Sequence, residues 1–183
     1  MTWQIQAGGR ERKPAENQGS HMTGKETAMS SRGQLTVFRE TTVDAGLAAE
    51  LDALFDEGVT WDTEQGRRFL AHPDTLLLVA RWGGEVCGFL TAYRLQRFDR
   101  RRAEVLLYEI GVDETFQRRG AGRALVEEAK RWAAEAGADE LWVMTEDDNL
   151  AARAPYAATG GHEETGFTMF DYGLGPRDPS QSL

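Results

Sequence analysis

The sequence predicts an α/β chain (α+β in the wider sense), with a mixed, mostly antiparallel central sheet flanked by helices. Three observations predict it. Residues 75–82 (TLLLVARW) and 85–95 (EVCGFLTAYRL) are apolar runs joined by Gly83-Gly84, the pattern of a β-hairpin. A third apolar run, residues 105–112, leads through the glycine loop at 117–122 (QRRGAG) into a stretch of helical periodicity. Residues 140–145 (ELWVMT) then read as another strand, which a crossover helix places parallel to the one before it.

Taken in order, residues 1–33 are rich in Gly, Gln, Glu and Ser and carry no periodicity, so no fold is expected there. Gly19-Ser20-His21-Met22 resembles a cloning scar, and this flexible leader, partly vector-derived, is set aside. Residues 35–40 alternate, with Leu35 and Val37 inward. Residues 43–55 place Leu47, Leu51, Leu54 and Phe55 at helical spacing, with Asp44 near the start. A second short helix is expected over 61–70, bounded near His72-Pro73, where His72 is a loop histidine or, less simply, a catalytic one. The hairpin follows, then a charged connection at 96–102 (QRFDRRR) and the strand that carries Glu109.

From Ala121 to Ala136 the apolar residues Leu125, Val126, Ala129, Trp132, Ala133 and Ala136 share one helix face. Glu127 with Arg131, and Arg131 with Glu135, form i,i+4 pairs on the other, and Gly137 ends the helix. After residues 140–145, Asp148 or Asn149 can cap a short helix through Ala158, ended by Gly160-Gly161. Residues 167–172 (FTMFDY) read as a final strand, and Pro176 and Pro179 mark a tail over 175–183. The folded domain is thus expected over 34–174.

With 183 residues, 40% of them hydrophobic and 28% charged, the chain can bury a core of its own. No apolar run approaches the roughly 20 residues of a membrane span, and no secretory pattern opens the chain. The single Cys87 excludes an internal disulfide, fits a reducing cytoplasm, and has no partners for a metal site. A net charge of −9 argues against nucleic acid as a partner. The first 33 residues hold five basic and three acidic side chains; the other 150 hold sixteen and twenty-seven. An acidic body with a local arginine cluster suggests one site for an anion and one for a cation, unless the acidity serves solubility alone.

The arginine cluster is the sharper signal. Strand, glycine loop and helix present bare N–H groups to a phosphate. Arg118, Arg119 and Arg123 stand where the helix dipole disfavours cations, by roughly 0.3–1 kcal/mol each, unless an anion shares the spot. Gly120 and Gly122 let backbone approach a ligand closely. The alternative is a solvated basic loop that merely starts a helix. Neither the glycine spacing of a dinucleotide-binding loop nor the Gly-Lys-Ser/Thr of a P-loop is present.

Gln117-x-x-Gly120-x-Gly122 after such a strand resembles the acetyl-CoA signature of the GCN5-related N-acetyltransferases (GNAT), and the element order over residues 34–174 is similar to that fold. The hairpin's Arg-Phe-acid step (Arg97-Phe98-Asp99), the Tyr108-Glu109 strand and the FDY strand most resemble aminoglycoside 3-N-acetyltransferases of type I. That resemblance implies a cytoplasmic transferase of antibiotic resistance, using acetyl-CoA, releasing coenzyme A and needing no metal. It implies a cationic small-molecule acceptor, an aminoglycoside acetylated on its 3-amino group, with a homodimer expected by analogy. Other acceptors, among them small amines, polyamines and protein amines, remain alternatives, as does an acyl-CoA sensor without turnover.

Site residues follow from both sources. The pyrophosphate would sit on N–H groups of Gln117, Arg118, Arg119, Gly120, Ala121, Gly122 and Arg123. The resemblance lays the pantetheine along the open backbone of Ile110, Gly111 and Val112, in a splay between this strand and residues 142–145, and adds Asn149 and Ala152. Glu109, read as alternating with Val105, Leu107 and Gly111 on an apolar face, is the expected general base; burial raises a carboxylate's pKa and improves it as a proton acceptor. A carboxylate bonded to a neighbouring loop is the other reading. The resemblance gives Tyr156 the role of acid toward the coenzyme A sulfur, against simple packing on the sheet, and Pro155 beside it is unusual. Asn149 could equally be a helix cap. Glu146, Asp147, Asp148 and Asp171 would bind the cationic acceptor through charge-assisted hydrogen bonds, although each alone could be a surface acid.

Overall fold

The computed structural model describes residues 33–52, 54, 62–99, 101–170, 172 and 174. The leader, Phe55, Trp61, Asp171 and the tail from 175 therefore lie outside the described residues. Five strands form one sheet in the order β1 (Leu35–Glu40), β2 (Thr75–Trp82), β3 (Glu85–Leu95), β4 (Ala103–Val112) and β5 (Ala138–Trp142). The first four are antiparallel neighbours, and β5 runs parallel to β4. Helices α1 (Ala45–Asp52), α2 (Thr63–Ala71), α3 (Ala121–Glu135) and α4 (Leu150–Ala158) complete it.

The hairpin forms as expected because its turn is local: Gly83 and Gly84 take φ of 61° and 95°, which a two-residue hairpin turn demands. One face of the sheet is covered by α3, whose Leu125, Val126, Ala129 and Trp132 pack on Leu78, Leu90, Val105, Leu107 and Ile110. Each such fully buried leucine contributes about 1.5–3 kcal/mol. The opposite face is covered by α1 and α2, through Leu51, Leu47, Phe69 and Leu70 against Leu77, Val79 and Phe89. Arg94 ties the layers together, pairing with Asp74 at 2.9 Å and donating to the Ala136 carbonyl at the end of α3 at 3.0 Å. Cys87 is buried, and burial pushes its thiol up, in keeping with an apolar packing role.

Several boundaries differ from the sequence reading. Helix α1 ends at Asp52, short of 55. Asp62 caps α2, accepting from the N–H groups of Glu64 and Gln65, and His72 closes it: the His72 imidazole accepts from the Asp74 N–H at 3.2 Å, a structural use of that ring. On α3 the ion pairs are Glu128–Arg131 and Glu127–Lys130, three residues apart, rather than the i,i+4 pairs expected. The charged connection is a clasp: Arg97 pairs with Asp99 and Glu104, and Arg102 with Asp139. Strand β5 starts at Ala138 and stops at Trp142, so residues 143–145 leave the sheet. No strand forms at 167–170 or 172; Phe167, Met169, Phe170 and Tyr172 are all exposed, with no strand edge pairing them.

The most consequential difference lies in β4. Thr91 pairs with Glu109, but the next residue, Ala92, pairs with Leu107, leaving Tyr108 as an extra residue. Such a bulge flips the side chains beyond it. Val105 and Leu107 face α3, as does Ile110, so Glu109 does not share their face as the simple alternation required.

Candidate active site

Pairing between β4 and β5 runs only from Ala103↔Ala138 to Leu106↔Trp142. Beyond it β4 continues to Val112 with β3 on one side, Gly88↔Val112 being its last pair, and no described strand on the other. The two parallel strands thus part, and Ile110, Gly111 and Val112 border the gap. Unpaired N–H and C=O groups on such an edge can accept an extended amide-bearing chain as an added strand. Gly111 is required here: a Cβ would meet the Phe89 ring at 2.6 Å.

A 3₁₀ turn at Glu114–Phe116, not foreseen from the sequence and capped by Asp113, leads into the glycine loop. The Gln117 amide donates to the Val112 carbonyl at 3.3 Å, fastening the loop to the strand end. Arg118 at φ 59° and Gly120 at φ 94° then turn the chain into α3. No side chain caps that helix and no acid stands in its first turn, so the N–H groups there keep the positive end of the dipole uncompensated. Arg118, Arg119 and Arg123 are exposed around it. Arg119 rests over the rings of Phe116 and Trp82, at 5.5 and 5.9 Å, which holds the loop against the hairpin. Ala121 is buried in the core. Gly122 has a second use: its Cα faces Pro155 of α4, where a Cβ would stand 3.5 Å away.

Asn149 caps α4, its side chain accepting from the Ala152 N–H at 3.1 Å, and Ala152 is buried. Gly161 N–H reaches the Tyr156 carbonyl at 2.9 Å and Gly160 takes φ 83°, ending the helix as its glycine pair suggested. Tyr156 packs against the α3-side core, and burial alone pushes its phenol far above the ordinary value. It stays protonated across the working pH range. Its hydroxyl and the Thr145 Oγ1 are the two buried side-chain polar atoms without a hydrogen-bond partner among the described residues. Buried orphans of this kind cost about 1–3 kcal/mol each, and a bound polar molecule relieves that cost. Thr145 escaped the sequence reading because a threonine closing an apolar run carries no signal of its own.

Glu109 keeps a solvent-facing side while its carboxyl is partly sheltered by the strands. Desolvation pushes it above the ordinary carboxylate value, with a hydrogen bond from Thr91 pulling the other way. The Thr91 hydroxyl donates to Oε2 at 3.2 Å, and Oε1 has no partner among the described residues. Tyr93 and Tyr108, edge to face at 5.3 Å, flank it, and Phe69 of α2 meets Tyr93 edge to face at 5.4 Å. Glu146, Asp147 and Asp148 are exposed on the loop after β5. Arg153 braces that loop, donating to the Asp147 carbonyl at 2.5 Å and pairing with Glu163 at 2.7 Å. A hollow between β1 and α3, lined by Leu35, Val37 and Glu128, is separate from this cleft.

The family model described as "Acetyltransferase (GNAT) family" matches residues 46–160. The N-alpha-acetyltransferase RimI of Mycobacterium tuberculosis is 38% identical over 127 residues, covering 69% of this chain and 77% of that protein. The aminoglycoside acetyltransferase HMB0005, from an uncultured soil metagenomic sample, is a solved structure 28% identical to this chain. It superposes with a TM-score of 0.67 over 78% of this chain and 99% of its own. AAC(6')-Iy in complex with the bisubstrate analog CoA-S-monomethyl-acetylneamine shares the fold at 17% identity, with a TM-score of 0.65 over 77% of this chain and 99% of its own.

Proposed function

We propose, from the premise that this chain belongs to the acetyltransferase (GNAT) family, that it acetylates an amine of an aminoglycoside, the 3-amino group by its closer resemblance. Acetyl-CoA, the donor of its family, supplies an activated thioester. The residues present fit it: an uncapped helix start among three arginines, an open strand edge, and orphaned hydroxyls at Thr145 and Tyr156. The observation that carries the catalytic reading is the buried Tyr156 phenol, which has no partner among the described residues; the Glu109 carboxylate, with only Oε2 bonded, supports it.

Glu109 Oε1 takes the proton that the acceptor nitrogen must shed to attack the acetyl carbonyl, directly or through a water. Its pKa, raised by desolvation, makes it a better proton acceptor than an ordinary carboxylate. Tyr156 returns a proton to the departing thiolate, for which a phenol held neutral by burial is suited. The glycine loop from Gln117 to Arg123 holds the anionic end of the donor, and Ile110, Gly111 and Val112 align its amide-bearing arm. Asn149 and Ala152, bonded to one another, shape the start of α4 beside that arm.

Glu146, Asp147 and Asp148 provide the negative field that a polycationic sugar would enter, and Asp171 is assigned to the same acceptor side by resemblance alone. They favour the ammonium form of the acceptor, which is why a base is needed. The likeness to HMB0005 supports the aminoglycoside. The 38% identity to RimI supports a second reading, acetylation of a protein N-terminus. Release of coenzyme A measured with gentamicin, spermidine and a short peptide separates them: turnover with gentamicin is expected, turnover with the peptide alone selects the second reading, and binding without release removes both.

A further inference from the structure

The bulge at Tyr108 places Glu109 directly opposite Thr91, on the sheet face covered by α1 and α2. Thr91 is 6% exposed on the same side of β3 as Phe89, a buried position where valine would leave no hydroxyl to satisfy. That hydroxyl is spent on one oxygen of one carboxylate. We propose that Thr91 is a positioning residue for the acetyl-transfer base, holding Oε2 of Glu109 so that Oε1 is the oxygen left to receive the acceptor's proton.

The inference rests on the reading of Glu109 as base. A carboxylate on a strand rotates about its terminal bond with little resistance, so either oxygen can face the cleft unless one is held. The hydrogen bond removes that freedom. It also stabilises the ionised form, opposing the desolvation that raises the group. The titratable neighbours are the phenols of Tyr93 on β3 and Tyr108 on β4, both pushed up by burial first and therefore neutral when Glu109 titrates. Phe69, edge to face with Tyr93, adds no charge, and no described cation is bonded to the carboxyl. A change at Thr91 is consequently felt by one acid.

The test compares wild type, Thr91→Val and Thr91→Ser in two readouts. One is the pH dependence of kcat/KM for gentamicin at saturating acetyl-CoA; the other is the carbon-13 titration of the Glu109 carboxyl in the apoprotein, which needs no turnover. Thr91→Val is expected to raise the Glu109 midpoint and the acid limb of the profile by about half to one pH unit, and to lower kcat severalfold on the plateau. Thr91→Ser, which keeps the donor, restores both. A Thr91→Val midpoint and plateau equal to wild type overturns the proposal, and so does a loss that Thr91→Ser fails to recover. Glu109→Gln separates this from the parent reading. If it leaves turnover intact while Thr91→Val shifts the carboxyl, the hydrogen bond stands and the base assignment falls.

Discussion

Replacing Tyr156 by phenylalanine should move stability and activity in opposite directions. The tyrosine ring packs on the core formed with α3, and phenylalanine keeps that packing. What disappears is a buried hydroxyl with no partner among the described residues. An unsatisfied buried donor costs about 1–3 kcal/mol, so its removal should raise the stability of the ligand-free protein by about 1 kcal/mol. For a domain of this size that is a rise in Tm of about 2–4 °C, read by calorimetry or circular dichroism at neutral pH. The same variant should lose about a hundredfold in kcat, measured by thiol release, because the departing thiolate no longer receives its proton. Linkage gives a further check. The folded phenol titrates above its ordinary value of 10.0, so the unfolded chain ionises first: the group leaves stability unchanged with pH below 10 and lowers it as pH rises toward the folded value. Tyr156→Phe should therefore show a shallower alkaline fall in Tm than wild type. A lower Tm at neutral pH would mean the hydroxyl is satisfied without ligand, and unchanged kcat would remove it from the chemistry; either result refutes the reasoning.

Glu109→Gln should lower kcat more than tenfold while acetyl-CoA binding, followed by calorimetry, persists, because the amide keeps the shape but accepts no proton. Gly120→Ala puts a Cβ on a residue at φ 94°, at a cost of about 1 kcal/mol, and should weaken coenzyme A binding with little change in the rate at saturation. Asn149→Ala removes the α4 cap and should lower stability by about 1 kcal/mol, seen as a drop of about 2–4 °C in Tm.

The elements that could be read from the sequence are those fixed by near neighbours. Gly83-Gly84 sets the hairpin, so β2 and β3 begin and end where their apolar runs do. Helix α3 declares itself through the apolar stripe from Leu125 to Ala133 and the stop at Gly137. The loop from Gln117 to Gly122 was legible because its glycines and misplaced arginines conflict with ordinary helix chemistry. What failed depends on pairing at a distance. The extra residue Tyr108 has no local mark, yet it turns Glu109 from the face of Leu107 to that of Thr91, and with it the partner of the proposed base. Residues 143–145 look like strand by composition and leave the sheet because β4 and β5 part after Trp142. FTMFDY has the alternation of a strand, but alternation supplies no edge to pair with, and its large side chains remain exposed.

In the proposed function an anionic donor would set its phosphates at the start of α3 and its arm along the free side of β4. Isothermal titration of the purified protein with coenzyme A tests this without any assumption about the acceptor. One site per chain is predicted, with an affinity that falls as salt is raised and falls again when Arg118 and Arg123 are both replaced by glutamine. Absence of binding heat with both coenzyme A and acetyl-CoA would contradict it.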